Sequence, residues 1–243
     1  MQIEGSVALV TGTNRGLGKA YAMALLAAGA AKVYAAARDP SAVTDPRLVP
    51  VRLDVTKPDE IAAAAAHCGD VNLLINNAGV MHSSPMMTEG SEVAMRAEME
   101  VNVYGVLGMI RAFAPVLKRN GGGAIVNVLS VVSWFTLPFN ATYGASKRAA
   151  LAVTESARIE LKAQRTRVLS VHAGYIDTDM AADISQPKTS PQQVAARTLE
   201  ALRSGNDLVL ADDRAQHVWQ ATRADPFGFA ESMQKLWDER QPK

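Results

Sequence analysis

Cysteine is nearly missing from this chain of 243 residues: Cys68 is the single one, so no intrachain disulfide can form. That fits a reducing compartment. Cys68 also has no partners at ligand spacing, and no metal site is expected. An excess of either charge is missing too. The 25 Lys and Arg stand against 24 Asp and Glu, a formal net charge of +1. This removes the electrostatic footprint of a dedicated nucleic-acid binder, and no block of Lys and Arg addresses an anionic membrane surface. No run of about 18 apolar residues occurs, so no membrane-spanning helix is expected. Residues 1–5 have no basic segment leading into an apolar one, so no signal peptide is read and the cytoplasm is the default location. What remains is a globular balance of 48% hydrophobic and 20% charged residues. A chain of this size buries about 70% of its unfolded surface without staples, and a single domain over 1–243 is expected.

Strand-length apolar runs alternate with longer segments of helical period. Residues 6–11, 32–37, 48–53, 72–76, 124–129, 167–172 and 207–210 predict strands. Helices are predicted over 17–28 (stopped by Gly29), 58–67, 92–118 and 142–163. Ser190-Pro191-Gln192-Gln193 reads as a capping box opening a further helix to about Arg203, and a helical tail covers about 213–243. The alternation implies βαβ units: an α/β chain with a doubly wound parallel sheet of Rossmann type and helices on both faces. Ligands of such sheets bind beyond the carboxyl ends of the strands.

Directly after the first strand stands Thr11-Gly12-Thr13-Asn14-Arg15-Gly16-Leu17-Gly18. Gly12 suits a tight turn, Gly16 lets backbone approach a pyrophosphate, and Gly18 lets helix pack close to strand. The N–H groups of the helix start, at Leu17 and Gly18, offer an anion site. No Gly-Lys-Ser/Thr follows, so the P-loop reading fails. An acid at the end of the second strand would hold a ribose 2′-hydroxyl and favour NAD. That end reads Ala35-Ala36-Ala37-Arg38 instead. Arg38, together with Arg15 in the glycine loop, suits a 2′-phosphate. NADP(H) is therefore expected, with NAD the less favoured cofactor.

Tyr143 and Lys147 stand at i and i+4, on one face at the start of a predicted helix. A neighbouring cation, together with the positive charge of an oxidised nicotinamide, favours tyrosinate and brings the phenol nearer to neutrality. Such a tyrosine serves as general acid toward a carbonyl and as base toward an alcohol. Ser130, at the end of the fifth strand, offers a hydroxyl to the substrate oxygen. Gly144-Ala145-Ser146-Lys147-Arg148 begins like a hydrolase elbow, but Arg148 replaces its second glycine.

The spacing T-G-x-x-x-G-x-G, the run Asn76-Asn77-Ala78-Gly79 and the pair Tyr143-x-x-x-Lys147 resemble the short-chain dehydrogenase/reductase family in its shorter, single-domain branch. With Asp54-Val55 the matching residues fall in order from 11 to 147. The resemblance implies a tetrad of Asn102, Ser130, Tyr143 and Lys147, in which Asn102 holds a water linking the lysine to solvent. It implies that Asp54, with Val55, meets the adenine and that Asn77, Ala78 and Gly79 line the adenosine ribose. It also implies that Gly174, Ile176 and Thr178 hold the nicotinamide carboxamide, although Ala173 stands where the family has proline.

The expected activity is hydride transfer between NADPH and a ketone or secondary alcohol. The alternative is a non-catalytic NADP-binding sensor of the same fold. Val131, Val132, Ser133, Trp134, Phe135, Leu137, Phe139 and Asn140, with Met81, His82 and Met180, are candidate walls for an apolar or aromatic substrate. The family's mobile substrate loop corresponds to a short segment, about 181–190, from which an open site is expected. The V-D-G-G ending of many relatives is missing, which leaves the family's tetramer contacts in question. The two long helices correspond to its dimer surface, so a homo-oligomer, dimer or tetramer, is expected.

Overall fold

β1 (Val7–Thr11) is apolar up to its terminal Thr11 and buried from Ala8 onward, as a strand covered on both faces must be. β2 (Lys32–Ala37), β4 (Leu73–Asn76) and β5 (Gly123–Val128) are likewise mostly buried and apolar, with Lys32, Asn76 and Asn127 as the polar exceptions. With β3 (Val49–Arg52), β6 (Thr166–His172) and β7 (Leu208–Leu210) they form one parallel sheet in the order β3-β2-β1-β4-β5-β6-β7. The order reverses between β1 and β4, so the loops after these strands diverge and leave a crevice there. The computed structural model describes residues 1–240; the last three residues of the expected helical tail lie outside them.

One face is covered by α1 (Gly16–Ala27) and α6 (Pro191–Ser204). Leu17, Tyr21 and Leu25 meet Val194, Leu199 and Leu202 over the strands. Ser190 caps α6 as its sequence foretells, its Oγ accepting from Gln193 N at 3.2 Å. The other face carries α2 (Pro58–His67), α4 (Val106–Arg119) and α5 (Ala141–Glu160), through Ile61, Met109, Phe113, Leu117 and Ala157. Cys68 is buried in this layer, which pushes its thiol up to about 12 and leaves it a packing residue.

The expected helix over 92–118 is not one α-helix. It consists of α3 (Ser91–Met99), a π turn (Glu100–Gly105) and α4. The cause is local. Asn102 in that turn is fully buried and bonded to backbone, and Gly105 abuts Val55, where an added methyl would lie 2.9 Å from Cγ2. Over Ser91–Arg119 the joined stretch is long and apolar enough to cross a bilayer, which a search for strictly apolar runs passes over. Its C-terminal half packs on the sheet, where Met109, Phe113 and Leu117 are wholly buried, while Val93 and Tyr104 stay exposed. The tail forms α7 (Asp213–Ala224) and α8 (Pro226–Glu239), packed on the segment after β5.

Candidate active site

The glycine loop lies at the crevice. Gly12 turns with φ of 71°, and a methyl on Gly18 would overlap the Gly12 carbonyl oxygen, so no larger residue lets α1 start this close to β1. Leu17 has its side chain in the core and offers only its N–H; Asn14 is exposed in the loop. This cradle of backbone donors at a helix start fits a dinucleotide pyrophosphate. Asn77 holds it from the next strand: its Nδ2 donates to Thr11 O at 2.9 Å, while Thr11 Oγ1 accepts from Asn77 N and Ala78 N at 3.0 and 2.9 Å.

Beyond the end of β3, Asp54 Oδ1 accepts from Thr56 N at 2.9 Å and Thr56 Oγ1 at 2.8 Å. Burial works against its charge, but the bonds from Thr56 and the cations Arg38 and Lys57 hold the carboxyl below its usual range. Val55 spends its side chain on Gly105, which leaves its backbone alone for a ligand. Arg38 is exposed at the end of β2. Arg15 does not stand with it. Its guanidinium pairs with Asp179 at 2.9 Å, both side chains about 70% exposed, and so reaches across to the turn after Thr178. Gly16 also meets that side: a methyl there would lie 3.2 Å from Thr178 Cγ2.

The four expected catalytic residues converge beyond the strand ends. Tyr143 lies in the first turn of α5, and Lys147 one turn later, its Nζ 5.6 Å from the phenol ring centre. Lys147 Nζ donates to Val128 O at 2.9 Å. Ser130 follows β5, with Oγ accepting from Val132 N at 3.4 Å and its hydroxyl on the phenol side. Asn102 Oδ1 accepts from Val80 N at 3.0 Å, and Nδ2 donates to Val80 O and Ser146 Oγ at 2.9 and 3.0 Å. Ser146 Oγ in turn donates to Tyr143 O at 2.8 Å. Gly79 closes the group: a methyl there would lie 3.1 Å from Asn102 Oδ1 and 3.6 Å from Lys147 Nζ. Both N–H groups of the Asn102 amide are committed, to Val80 and Ser146, which leaves one acceptor site on Oδ1 for a water.

The electrostatics differ from the expectation that Lys147 brings the phenol toward neutrality. Burial, then the Glu98 carboxylate, pushes Tyr143 well above its usual range, and the Ser130 hydroxyl only opposes this. Burial also lowers Lys147 to about 8, so its ammonium is a weaker counterweight than an exposed one. Tyr143 is therefore held as a phenol by the protein's own groups.

Several supporting residues escape sequence reasoning. His172 ends β6 fully buried, its Nδ1 3.1 Å from Ser130 O and its ring stacked 3.9 Å from Trp134. Burial lowers it to about 4, so it is neutral and donates through Nδ1. Glu98 is buried, with Oε1 accepting from His82 N at 2.7 Å; His82 thus serves the loop through its backbone. Asp212 binds Gly174 N and is taken up below. Only Asp212 leaves a sequence signal, an acid directly before a helical segment.

The expected substrate walls are mostly packed already. Val131, Val132 and Phe135 are buried with Tyr143, Ser133 is buried, Trp134 lies on His172, and Phe139 stacks on Trp237 at 5.1 Å. Leu137 packs partly buried against the same cluster, and Asn140 Nδ2 contacts Met81 Sδ at 3.4 Å. Met180 remains 46% exposed. The 181–190 segment is short and is tied back by a bridge between Ile176 and Thr189.

The family described as short chain dehydrogenase matches residues 6–189. The chain belongs to the short-chain dehydrogenase/reductase family, and it is an oxidoreductase of that family with a nucleotide cofactor and a small-molecule substrate. A short chain dehydrogenase from Burkholderia cenocepacia J2315, solved in complex with NADP, is 46% identical with a TM-score of 0.93, over 96% of this chain and 99% of that one. A 3-ketoacyl-(acyl-carrier-protein) reductase from Brucella melitensis, complexed with NADH, is 26% identical with a TM-score of 0.76, over 86% and 95%. Dehydrogenase/reductase SDR family member 7B of Bos taurus is 31% identical, over 86% of this chain and 74% of its own length.

Proposed function

We propose that the protein is an NADP(H)-dependent carbonyl reductase or alcohol dehydrogenase acting on a ketone or secondary alcohol. The observation that carries this reading is the convergence of Tyr143, Lys147, Ser130 and Asn102 beyond the strand ends. Bound NADPH would supply the hydride. Tyr143, held as a phenol, donates its proton to the substrate oxygen during reduction. The Ser130 hydroxyl hydrogen-bonds the same oxygen as charge develops there. Lys147, lowered to about 8 and 5.6 Å from the phenol ring centre, is the neighbouring group able to return a proton toward Tyr143.

The preference for NADP(H) is supported by Arg38 in place of an acid after β2, and by the NADP bound in the Burkholderia cenocepacia relative. Gly12, Asn14, Arg15, Gly16, Leu17 and Gly18 would hold the phosphates, and Gly174, Ile176 and Thr178 the carboxamide. Half-buried Met81 and exposed Met180 favour an apolar or aromatic substrate. Exposed Val93, Tyr104 and Ile159 on the long helices support a homo-oligomer.

The test is a panel of ketones with NADPH or NADH at matched concentration, followed by loss of reduced-cofactor absorbance. The reading requires turnover, about tenfold or more faster with NADPH, corresponding to about 1.4 kcal/mol. Activity tenfold better with NADH overturns the cofactor assignment. No turnover with any ketone or alcohol favours the sensor.

A further inference from the structure

We propose that Asp212 is a positioning residue for the nicotinamide end of the cofactor, through the peptide N–H of Gly174. The proposal rests on the cofactor reading above and adds a residue from the C-terminal part of the chain. Ala173 takes the place of a ring that would restrain the turn after β6, and Gly174 is itself permissive. The missing restraint is supplied from outside the turn. Asp212 is 4% exposed and uses both carboxylate oxygens: Oδ2 accepts from Gly174 N at 2.7 Å, and Oδ1 accepts from Ala215 N at 2.7 Å. One carboxylate therefore caps α7 and fixes the turn from which Ile176 and Thr178 extend. The start of α7 favours its charge.

Neighbouring contacts fasten the same joint. Ala211 N donates to His172 O at 2.8 Å, which aligns the two chain segments just before Asp212 and Gly174. Arg214 covers Gly174 so closely that an added methyl would overlap its Cδ, and its guanidinium lies 4.6 Å from the Tyr175 ring centre. Val131 N donates to Ala173 O at 3.1 Å, so the turn is also held to the segment carrying Ser130. A shift of Gly174 would carry the carboxamide-binding segment away from Tyr143 while leaving the glycine loop after β1 where it is.

The experiment uses the two functions of the carboxylate. Asp212→Ser keeps a capping oxygen for Ala215 N but loses the second acceptor. Asp212→Thr serves in the same way should the serine variant fail to fold. Asp213→Ser, at a 94% exposed side chain, is the control. Equilibrium titrations measure binding of NADPH and of 2′,5′-ADP, which lacks the nicotinamide. Below a melting temperature that falls modestly with the lost hydrogen bond, the expected result is NADPH binding weakened roughly tenfold, the scale of one hydrogen bond, and unchanged 2′,5′-ADP binding. Equal weakening of both ligands, or of neither, overturns the proposal. Failure of the wild-type protein to bind NADPH removes the cofactor reading itself, and the role of Asp212 with it.

Discussion

Tyr143 is held as a phenol, and that sets what it can do unaided. In reduction it starts with the proton it must give; in oxidation it must first lose one against burial and Glu98. Replacing it by phenylalanine removes the proton donor without removing the glycine loop. Tyr143→Phe should lower kcat by about 10²–10⁴-fold and leave the dissociation constant for NADPH nearly unchanged, as measured by steady-state kinetics beside a binding titration. His172 gives a second prediction at this scale. The folded protein keeps it neutral down to about 4, whereas the unfolded chain takes up a proton below about 6.5. Its contribution is therefore complete above pH 6.5 and is lost as the pH falls to about 4. The full effect is roughly 3 kcal/mol. Denaturant midpoints across that range should fall with acidity, and fall less in His172→Asn, whose amide can stand in for Nδ1 on Ser130 O.

The π turn is the element in which fold and chemistry meet. It pulls Asn102 onto the backbone of Val80, next to Gly79 and Lys147, and makes one buried amide serve three partners. Asn102→Ala leaves the Val80 N–H and C=O without that partner. It should cost about 2 kcal/mol of stability, measured by denaturant unfolding. The turn was illegible in the sequence because apolar residues recur at helical spacing through it, and a π turn changes hydrogen bonding more than composition. The central strands were legible because strands covered on both faces are mostly apolar, while the edge strand β3, with Pro50 and Arg52 exposed, was placed by its position in the alternation. The Tyr143 and Lys147 pair was legible because its spacing is local and needs only a helix to share a face, whereas Asn102 came from the family resemblance and not from any local pattern. His172 and Asp212 act through partners 42 and 38 residues away, on other segments, and nothing near them in the chain announces those partners. The pairing of Arg15 with Asp179 was hidden for the same reason, since Asp179 approaches the glycine loop only after folding.

Across the whole molecule, the C-terminal helices back the chemical side of the crevice. Phe135 meets Phe229 at 5.0 Å, Trp134 meets Trp219 at 4.8 Å, and Phe139 stacks on Trp237. The aromatic residues that looked like substrate walls are thus committed to the tail, and α7 also carries the cap on Gly174. Phe229→Ala should cost about 1–3 kcal/mol, read as a lower melting temperature. Association belongs to this scale as well: light scattering should give a mass that is a multiple of 25.9 kDa, and Tyr104→Glu, at a side chain 61% exposed, should lower it.

The decisive experiment follows the hydrogen itself. NADPH carrying deuterium at the transferring C4 position is incubated with a ketone that turns over, and the alcohol is examined by mass spectrometry. Direct transfer beside Tyr143 requires one deuterium on the carbinol carbon in the wild-type product, and almost no product from Tyr143→Phe. Unlabelled alcohol, or labelled alcohol formed equally fast by that variant, would show that the phenol is not the proton donor in a direct hydride transfer.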